Sequence, residues 1–129
     1  MLRHAVPIPT IEELRGVFLV TETSEEIPDP SYVGRIYRAL GERGILSVVS
    51  AVLTGRPKAY NFDKHNDAAQ KAEYRERQRE VIIDMVRRYN KDIPIVQNLD
   101  FGHTDPQIAM PYGGQVRIDG EHRKIYATY

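Results

Sequence analysis

One histidine, His103, lies in the segment NLDFGHTDP (residues 98–106), directly after a short apolar run. Imidazole titrates near neutral pH, so a histidine in a loop at a strand end is a candidate general base. Gly102 before it permits a sharp turn or a close backbone approach. Thr104 and Asp105 continue a turn-forming sequence that would fix the direction of the ring. These residue types are compatible with a catalytic base and also with a polar residue in a stiff loop.

A catalytic imidazole also needs a carboxylate that selects its tautomer and stabilises its protonated form. Glu22 follows the apolar run GVFLVT, and Asp105 lies two residues after His103. Asp105 precedes a proline and suits turn formation better, whereas Glu22 closes a strand whose end can reach the same sheet edge. Spacing alone leaves Glu22 open as a catalytic acid or as an exposed strand-end residue. Its neighbours Glu25 and Glu26 are interpreted as exposed strand-end glutamates.

A nucleophile is not apparent in the sequence. There is no cysteine, and no serine lies in a G-x-S-x-G elbow or a comparable strand-turn-helix setting. The histidines form no H-x-x-x-H pair, and His103 with Asp105 would give only two metal ligands, so we expect neither a metal nor another cofactor. Gly113 and Gly114 lack the lysine and helix of a phosphate-binding loop. The chain therefore contains a candidate base and acid without the group that they would activate.

Length and charge narrow the class of protein further. The 129 residues fit one domain with a single core, and the formal net charge of zero makes nucleic-acid binding through phosphates an unlikely role. The first residues, MLRHAVPIPTIEEL, are neither a signal peptide nor a membrane span. The composition indicates a cytoplasmic α/β domain with no nucleic-acid or membrane partner.

Hydrophobic periodicity predicts alternating strands and helices. Strands are expected at 16–21 and at 93–99, and the apolar segment from Ile45 to Leu53 is predicted to form a short helical turn that leads into a strand ending near Gly55. A first helix is predicted from the Asp29-Pro30 start to the glycines at 41 and 44, with one apolar face formed by Val33, Ile36, Tyr37 and Leu40. A long helix is predicted over 67–89, and the intervening residues 56–66 are interpreted as a loop.

The end of the chain carries a hairpin pattern. Val116 and Ile118 alternate with polar residues, as do Ile125 and Ala127, on either side of a turn at Asp119-Gly120. Together with the preceding strands and helices, this order predicts a layered α/β domain with a mixed sheet and a C-terminal hairpin.

Three segments together resemble the C-terminal domain of the LD-carboxypeptidase family. VTETSEE follows the first apolar strand, LTGRPKAY follows the second, and NLDFGHTDPQIAMPYGGQVRID lies near the end. Their order and spacing match over essentially the whole chain, and the FGHTDP…PYG element is the most specific part. The TETSEE and GRPK segments are more similar to the branch typified by the microcin C self-immunity protein than to the murein tetrapeptide branch. Thr21 departs from the family pattern, which commonly has an apolar residue there.

The resemblance implies a serine peptidase whose Ser-Glu-His triad is divided between two domains. An N-terminal flavodoxin-like domain would present the serine and its oxyanion hole. The C-terminal domain, of a swivelling β/β/α type, would supply the other two residues. By motif these are Glu22 and His103, with Gly102, Thr104 and Asp105 as the supporting loop.

The implied organisation is a linker over residues 1–15, which comes from a missing nucleophile domain, and an LD-carboxypeptidase-like domain over 16–129. The chain alone should then be inactive. The implied substrates are L,D-peptide bonds of murein peptides or the amide of microcin C-like peptidyl or aminoacyl nucleotides, and a homodimer is expected. The alternative hypothesis is a non-catalytic protein-interaction domain that retains the fold. A long distance between Glu22 and His103 would favour that alternative.

Overall fold

The computed structural model describes residues 8–129 of the chain, so the beginning of the expected linker lies outside the described residues. Eight elements follow one another along the chain. They are β1 (Phe18–Thr21), α1 (Pro30–Glu42), α2 (Ile45–Val48), β2 (Ala51–Gly55), α3 (Ala68–Tyr89), β3 (Ile95–Leu99), β4 (Gln115–Asp119) and β5 (Lys124–Thr128). The predicted order of strands and helices is confirmed.

The first three strands form a parallel sheet in the order β1-β2-β3. The central strand β2, AVLTG, is buried along its whole length, which is why it reads as an uninterrupted apolar and small-residue run. Because all three strands run in the same direction, their carboxyl ends lie at one edge of the sheet. The segments that carry Glu22 and His103 leave from this edge.

Both long helices begin at side-chain caps. The Asp29 carboxylate accepts from the backbone N–H of Ser31 ahead of the first-turn Pro30. Asp67 and Gln70 form a reciprocal capping box at the start of α3. The helices pack against each other and against the sheet around a cluster of buried side chains: Val33, Tyr37, Leu46, Val52, Ile82 and Val86.

Two details of the first helix differ from the sequence prediction. Ile36, assigned to the apolar face, is 45% exposed, because the helix buries a narrower stripe centred on Val33 and Tyr37. Gly41 does not end the helix, which continues to Glu42. A Cβ on Gly41 would lie 2.3 Å from ring carbons of Tyr89, so this glycine is a packing position beneath α3. Gly44, with φ +81°, follows the helix in the left-handed conformation.

The predicted hairpin is present, and its strands β4 and β5 pair Val116 with Ala127 and Ile118 with Ile125. It forms a two-stranded antiparallel sheet of its own beside the parallel sheet. The molecule is thus an α/β domain with parallel and antiparallel parts. Over residues 8–129, no helix combines the length and the apolar character needed to cross a bilayer.

Candidate active site

The carboxyl edge of the parallel sheet brings three distant segments together. The residues after β1 carry Glu22, those after β2 carry Arg56, and those after β3 carry His103. Pairing of β1 with β2 extends to Thr21 opposite Thr54, and pairing of β2 with β3 extends to Gly55 opposite Leu99. The sheet register therefore determines how close the three segments lie.

Glu22 and His103 are in direct contact although 81 positions separate them. Nδ1 of His103 lies 2.8 Å from Oε2 of Glu22, within hydrogen-bonding distance. The hydrogen bond to Glu22 and the attraction of its charge raise the pKa of His103; the charge of Glu25 adds to this rise, while desolvation and Lys58 oppose it. The side chains of Glu22 and His103 are 36% and 42% exposed, so the imidazole remains accessible.

Two glycines allow this approach. A Cβ on Gly102 would lie 2.6 Å from Oε2 of Glu22, and its backbone has φ +95°. A Cβ on Gly55 would lie 2.6 Å from the carbonyl oxygen of Phe101. A side chain at either position would therefore push the strand ends apart.

Arg56, which follows β2, contacts the loop that carries His103 at residues both before and after the histidine. Its backbone N–H donates to the carbonyl of Leu99, and its guanidinium lies 2.7 Å from a carboxylate oxygen of Asp100. The same guanidinium donates to the carbonyl oxygen of Asp105 at 3.1 Å. Arg56 thus spans the loop that carries His103.

The three residues of the supporting loop, Gly102, Thr104 and Asp105, have different environments. Asp105 is not the carboxylate that contacts His103, and it enters the loop through its backbone carbonyl. Thr104 is buried, with 9% of its surface exposed, and its hydroxyl has no hydrogen-bond partner within the described part of the chain. Gly102 lies beneath Glu22, and the amide of Gln107 donates to its carbonyl oxygen.

Thr21, at which the resemblance implies an apolar residue, has a polar partner. Its hydroxyl lies 2.5 Å from the hydroxyl of Tyr37, which α1 buries against the sheet. Burial raises the pKa of Tyr37 to about 12, so its phenol stays neutral even at pH values at which an exposed tyrosine would ionise. This bond ties the strand residue next to Glu22 to the helical layer.

Sequence reasoning missed the second carboxylate at the imidazole. Oε2 of Glu25 lies 2.9 Å from Nε2 of His103, so both ring nitrogens face glutamates. Glu25 was interpreted as an exposed strand-end residue, and its side chain is indeed 56% exposed. The only feature of the sequence that pointed to Glu25 was its position three residues after Glu22. Spacing within a loop does not determine the direction in which a side chain points. Between positions 8 and 129, no group of three or more candidate ligands is arranged to hold a metal ion.

A comparison with family models identifies the domain type. Residues 1–118 match the model described as the LD-carboxypeptidase C-terminal domain. The chain belongs to this family. The resemblance in the three strand-end segments is therefore confirmed for most of the chain, while no curated protein sequence in the comparison matches it.

Solved structures agree with membership of the LD-carboxypeptidase C-terminal domain family. An MccF-like protein from Streptococcus pneumoniae, solved in complex with AMP, is 27% identical with a TM-score of 0.75 over 95% of this chain. A muramoyltetrapeptide carboxypeptidase from Oxalobacter formigenes is also 27% identical, with a TM-score of 0.60 over 86% of this chain. The chain corresponds to only 31% and 35% of those two proteins.

Proposed function

We propose that this LD-carboxypeptidase C-terminal domain supplies the glutamate and the histidine of a Ser-Glu-His triad. The nucleophilic serine would come from an N-terminal domain that residues 16–129 do not include, with residues 1–15 as the connection. The observation that carries the proposal is the 2.8 Å contact between Glu22 and Nδ1 of His103. It matches the orientation that a general base needs from its acidic partner.

The proposed mechanism depends on which ring nitrogen of His103 is bonded to Glu22. When the ring is neutral and Nδ1–H donates to Glu22, the lone pair on Nε2 is the remaining acceptor. Nε2 takes the serine proton as the serine oxygen bonds to the scissile carbonyl carbon. The imidazolium then returns that proton to the departing nitrogen as the C–N bond breaks. Water, deprotonated in the same way, releases the acyl group from the serine, and Glu22 stabilises the imidazolium in both halves.

The proposed substrates are compounds with a scissile amide in one of two settings. One is an L,D-peptide bond of a murein peptide, and the other is the amide of a microcin C-like peptidyl or aminoacyl nucleotide. The names of the two similar structures support this pair, since one is a muramoyltetrapeptide carboxypeptidase and the other, an MccF-like protein, was solved with AMP. A cytoplasmic location and a homodimer remain predictions, the latter open to sedimentation analysis.

A chimera tests the proposal. The 129-residue chain would replace the matching C-terminal part of the Streptococcus pneumoniae MccF-like protein, and hydrolysis of a murein tetrapeptide and of an aminoacyl adenylate analogue would be measured. We expect hydrolysis of at least one of them. Glu22→Gln and His103→Ala should each lower kcat by several orders of magnitude, about 10⁴-fold for a disabled triad.

Three controls make the result interpretable. The chain alone should hydrolyse neither substrate, Glu26→Gln should retain the activity of the chimera, and thermal melting should verify that each variant folds. A folded chimera whose activity survives both Glu22→Gln and His103→Ala would refute the triad. A folded but inactive chimera that binds the same ligands would favour the non-catalytic interaction domain.

A further inference from the structure

His103 is held by carboxylates on both sides. Glu22 contacts Nδ1 at 2.8 Å and Glu25 contacts Nε2 at 2.9 Å. Each ring nitrogen presents a single hydrogen or lone pair in the plane of the ring. The contact with Glu22 has hydrogen-bond geometry, whereas the Glu25 carboxylate makes an ionic contact beside Nε2, next to the space through which a second group would approach that atom.

The double contact also defines a protonation state. A carboxylate accepts hydrogen bonds and has none to donate, so both nitrogens must carry hydrogens for both contacts to be attractive. The ring in this arrangement is therefore imidazolium. An imidazolium cannot accept a proton from a nucleophile, which means that this arrangement is not that of a working general base.

The backbone around Glu25 is anchored to the rest of the domain. The carbonyl oxygen of Glu25 accepts from the side-chain amide of Asn61, and Ile27 adopts a positive φ of 52°. The carbonyl of Pro28 accepts from both Tyr74 and Gln78 on α3. Glu25 thus extends from a segment fixed at several points, while its own side chain is exposed and free to rotate away.

We propose that the Glu25 carboxylate forms an ion pair at Nε2, the atom that must receive the proton of the nucleophile, and so keeps His103 in an inactive, protonated form until the nucleophile displaces it. This inference rests on the proposed function, because the triad defines Nε2 as the reacting atom. Loss of the ring proton makes the contact between Glu25 and the Nε2 lone pair repulsive, so deprotonation and release of Glu25 are coupled. Lys58 is the cation that acts on His103 in the opposite sense, disfavouring its protonation.

Nitrogen-15 NMR of the full 129-residue chain tests the inference without any assay of activity. Long-range proton–nitrogen spectra give the protonation state of both His103 ring nitrogens as a function of pH. We expect Glu25→Ala and Glu25→Gln to shift the titration of His103 to lower pH. Glu22→Gln should do the same, and Glu26→Gln is the matched control because it removes a neighbouring carboxylate that does not contact the ring.

Acylation by diethyl pyrocarbonate gives a second measurement, since this electrophile reacts with unprotonated imidazole nitrogen. The rate at His103 would be followed by mass spectrometry of the peptide that contains it, with His65 and His122 as internal references. At a pH below the titration midpoint, Glu25→Ala should accelerate acylation of His103 relative to both references. Glu26→Gln should leave the ratio unchanged.

The possible outcomes separate the two proposals. If Glu22→Gln shifts the titration but neither Glu25 variant changes titration or acylation, the role of Glu25 is refuted and the triad stands. If none of these variants shifts the titration, the Glu22 contact fails as well. A shift in Glu26→Gln as large as that in Glu25→Gln would also overturn the inference, because it would reflect general charge rather than contact at Nε2.

Discussion

The contact between Glu22 and His103 requires a glycine at position 102, because a side chain there would collide with Glu22. Gly102 places its backbone directly beneath the Glu22 carboxylate, where a Cβ would lie 2.6 Å from Oε2 and 3.0 Å from the Cβ of Glu22. Its φ of +95° adds a conformational reason for glycine. Gly113 also has a positive φ, +72°, but nothing lies within 4 Å of the position that its Cβ would take. Substitution at Gly113 would therefore introduce backbone strain alone, whereas substitution at Gly102 would introduce both backbone strain and a steric clash.

We therefore predict different consequences for the same substitution at these two glycines. Gly102→Ala and Gly113→Ala should each cost about 1–2 kcal/mol of unfolding free energy through the left-handed backbone. Only Gly102→Ala should also displace Glu22 and lower the pKa of His103. Chemical denaturation and NMR titration measure the two effects, and equal titration curves in both variants would contradict this role of Gly102.

Residue types were sufficient to nominate Glu22 and His103 as candidates, because a carboxylate and an imidazole at strand ends are chemically matched. They were not sufficient to choose between Glu22 and Asp105; the family resemblance selected Glu22, which contacts the imidazole in the structure. They also could not indicate Glu25, since the direction of an exposed side chain in a loop depends on contacts made by distant parts of the chain. Its backbone is held partly by Asn61 and by α3, and neither contact is visible in the local sequence.

At the scale of elements, α3 holds the segment that follows Glu22. Gln78 is fully buried, and its amide donates to the carbonyl of Pro28 at 2.7 Å and to the hydroxyl of Tyr74 at 2.9 Å. Tyr74 donates to the same carbonyl at 2.8 Å. A polar side chain in the middle of a buried helix face thus connects the helical layer to the segment carrying the two glutamates.

We predict that Gln78→Ala lowers the free energy of unfolding by about 1–3 kcal/mol, because it leaves buried polar groups with fewer partners. Tyr74→Phe removes only one of the two donors to Pro28 and should cost about 1 kcal/mol. Urea denaturation measures both values. A loss at Gln78 no larger than that at Tyr74 would show that the buried amide is not the main connection.

Element boundaries were predictable where local chemistry sets them. Asp29 with Pro30 marks the start of α1, as the sequence predicts. Gly41 was misread because its reason is tertiary: the ring of Tyr89, from another helix, fills the space where a side chain would be. A glycine that serves as a packing site and one that ends a helix look the same in sequence.

At the scale of the whole molecule, alternation of strands and helices predicted a layered α/β domain with a mixed sheet, since a helix between two strands returns the chain to the same layer. The alternation on either side of Asp119-Gly120 also predicted the hairpin, although not its register. The division into two separate sheets was not predictable, because strand periodicity shows which faces are apolar and not which edges join.

The stability of the whole molecule should depend on pH through His103. Its pKa is raised by Glu22 in the folded chain, so the stabilisation is fully present below the ordinary histidine value of 6.5 and is lost as pH rises through the raised pKa. The difference in unfolding free energy between the unsubstituted chain and Glu22→Gln should thus be largest below pH 6.5 and shrink above it.

Other titrating groups are common to both proteins and cancel in that difference, which guanidinium denaturation at a series of pH values would measure. For the control Glu26→Gln the difference should be flat through this range. A gap for Glu22→Gln that widened as pH rose would contradict the assigned interaction.

The exposed stretch at residues 62–65 separates the part of the chain that contains Glu22 from the part that contains His103, and Phe62 within it is 97% exposed. A backbone cut at Phe62 would leave β1, α1 and β2 in one piece and α3, β3 and the hairpin in the other. The ladder between β2 and β3, the packing of α1 on α3 and the side-chain contacts between the two pieces would then drive reassociation. The domain is thus suited to fragment complementation, in which recovery of the imidazole–carboxylate bond reports that two separately produced halves have found each other.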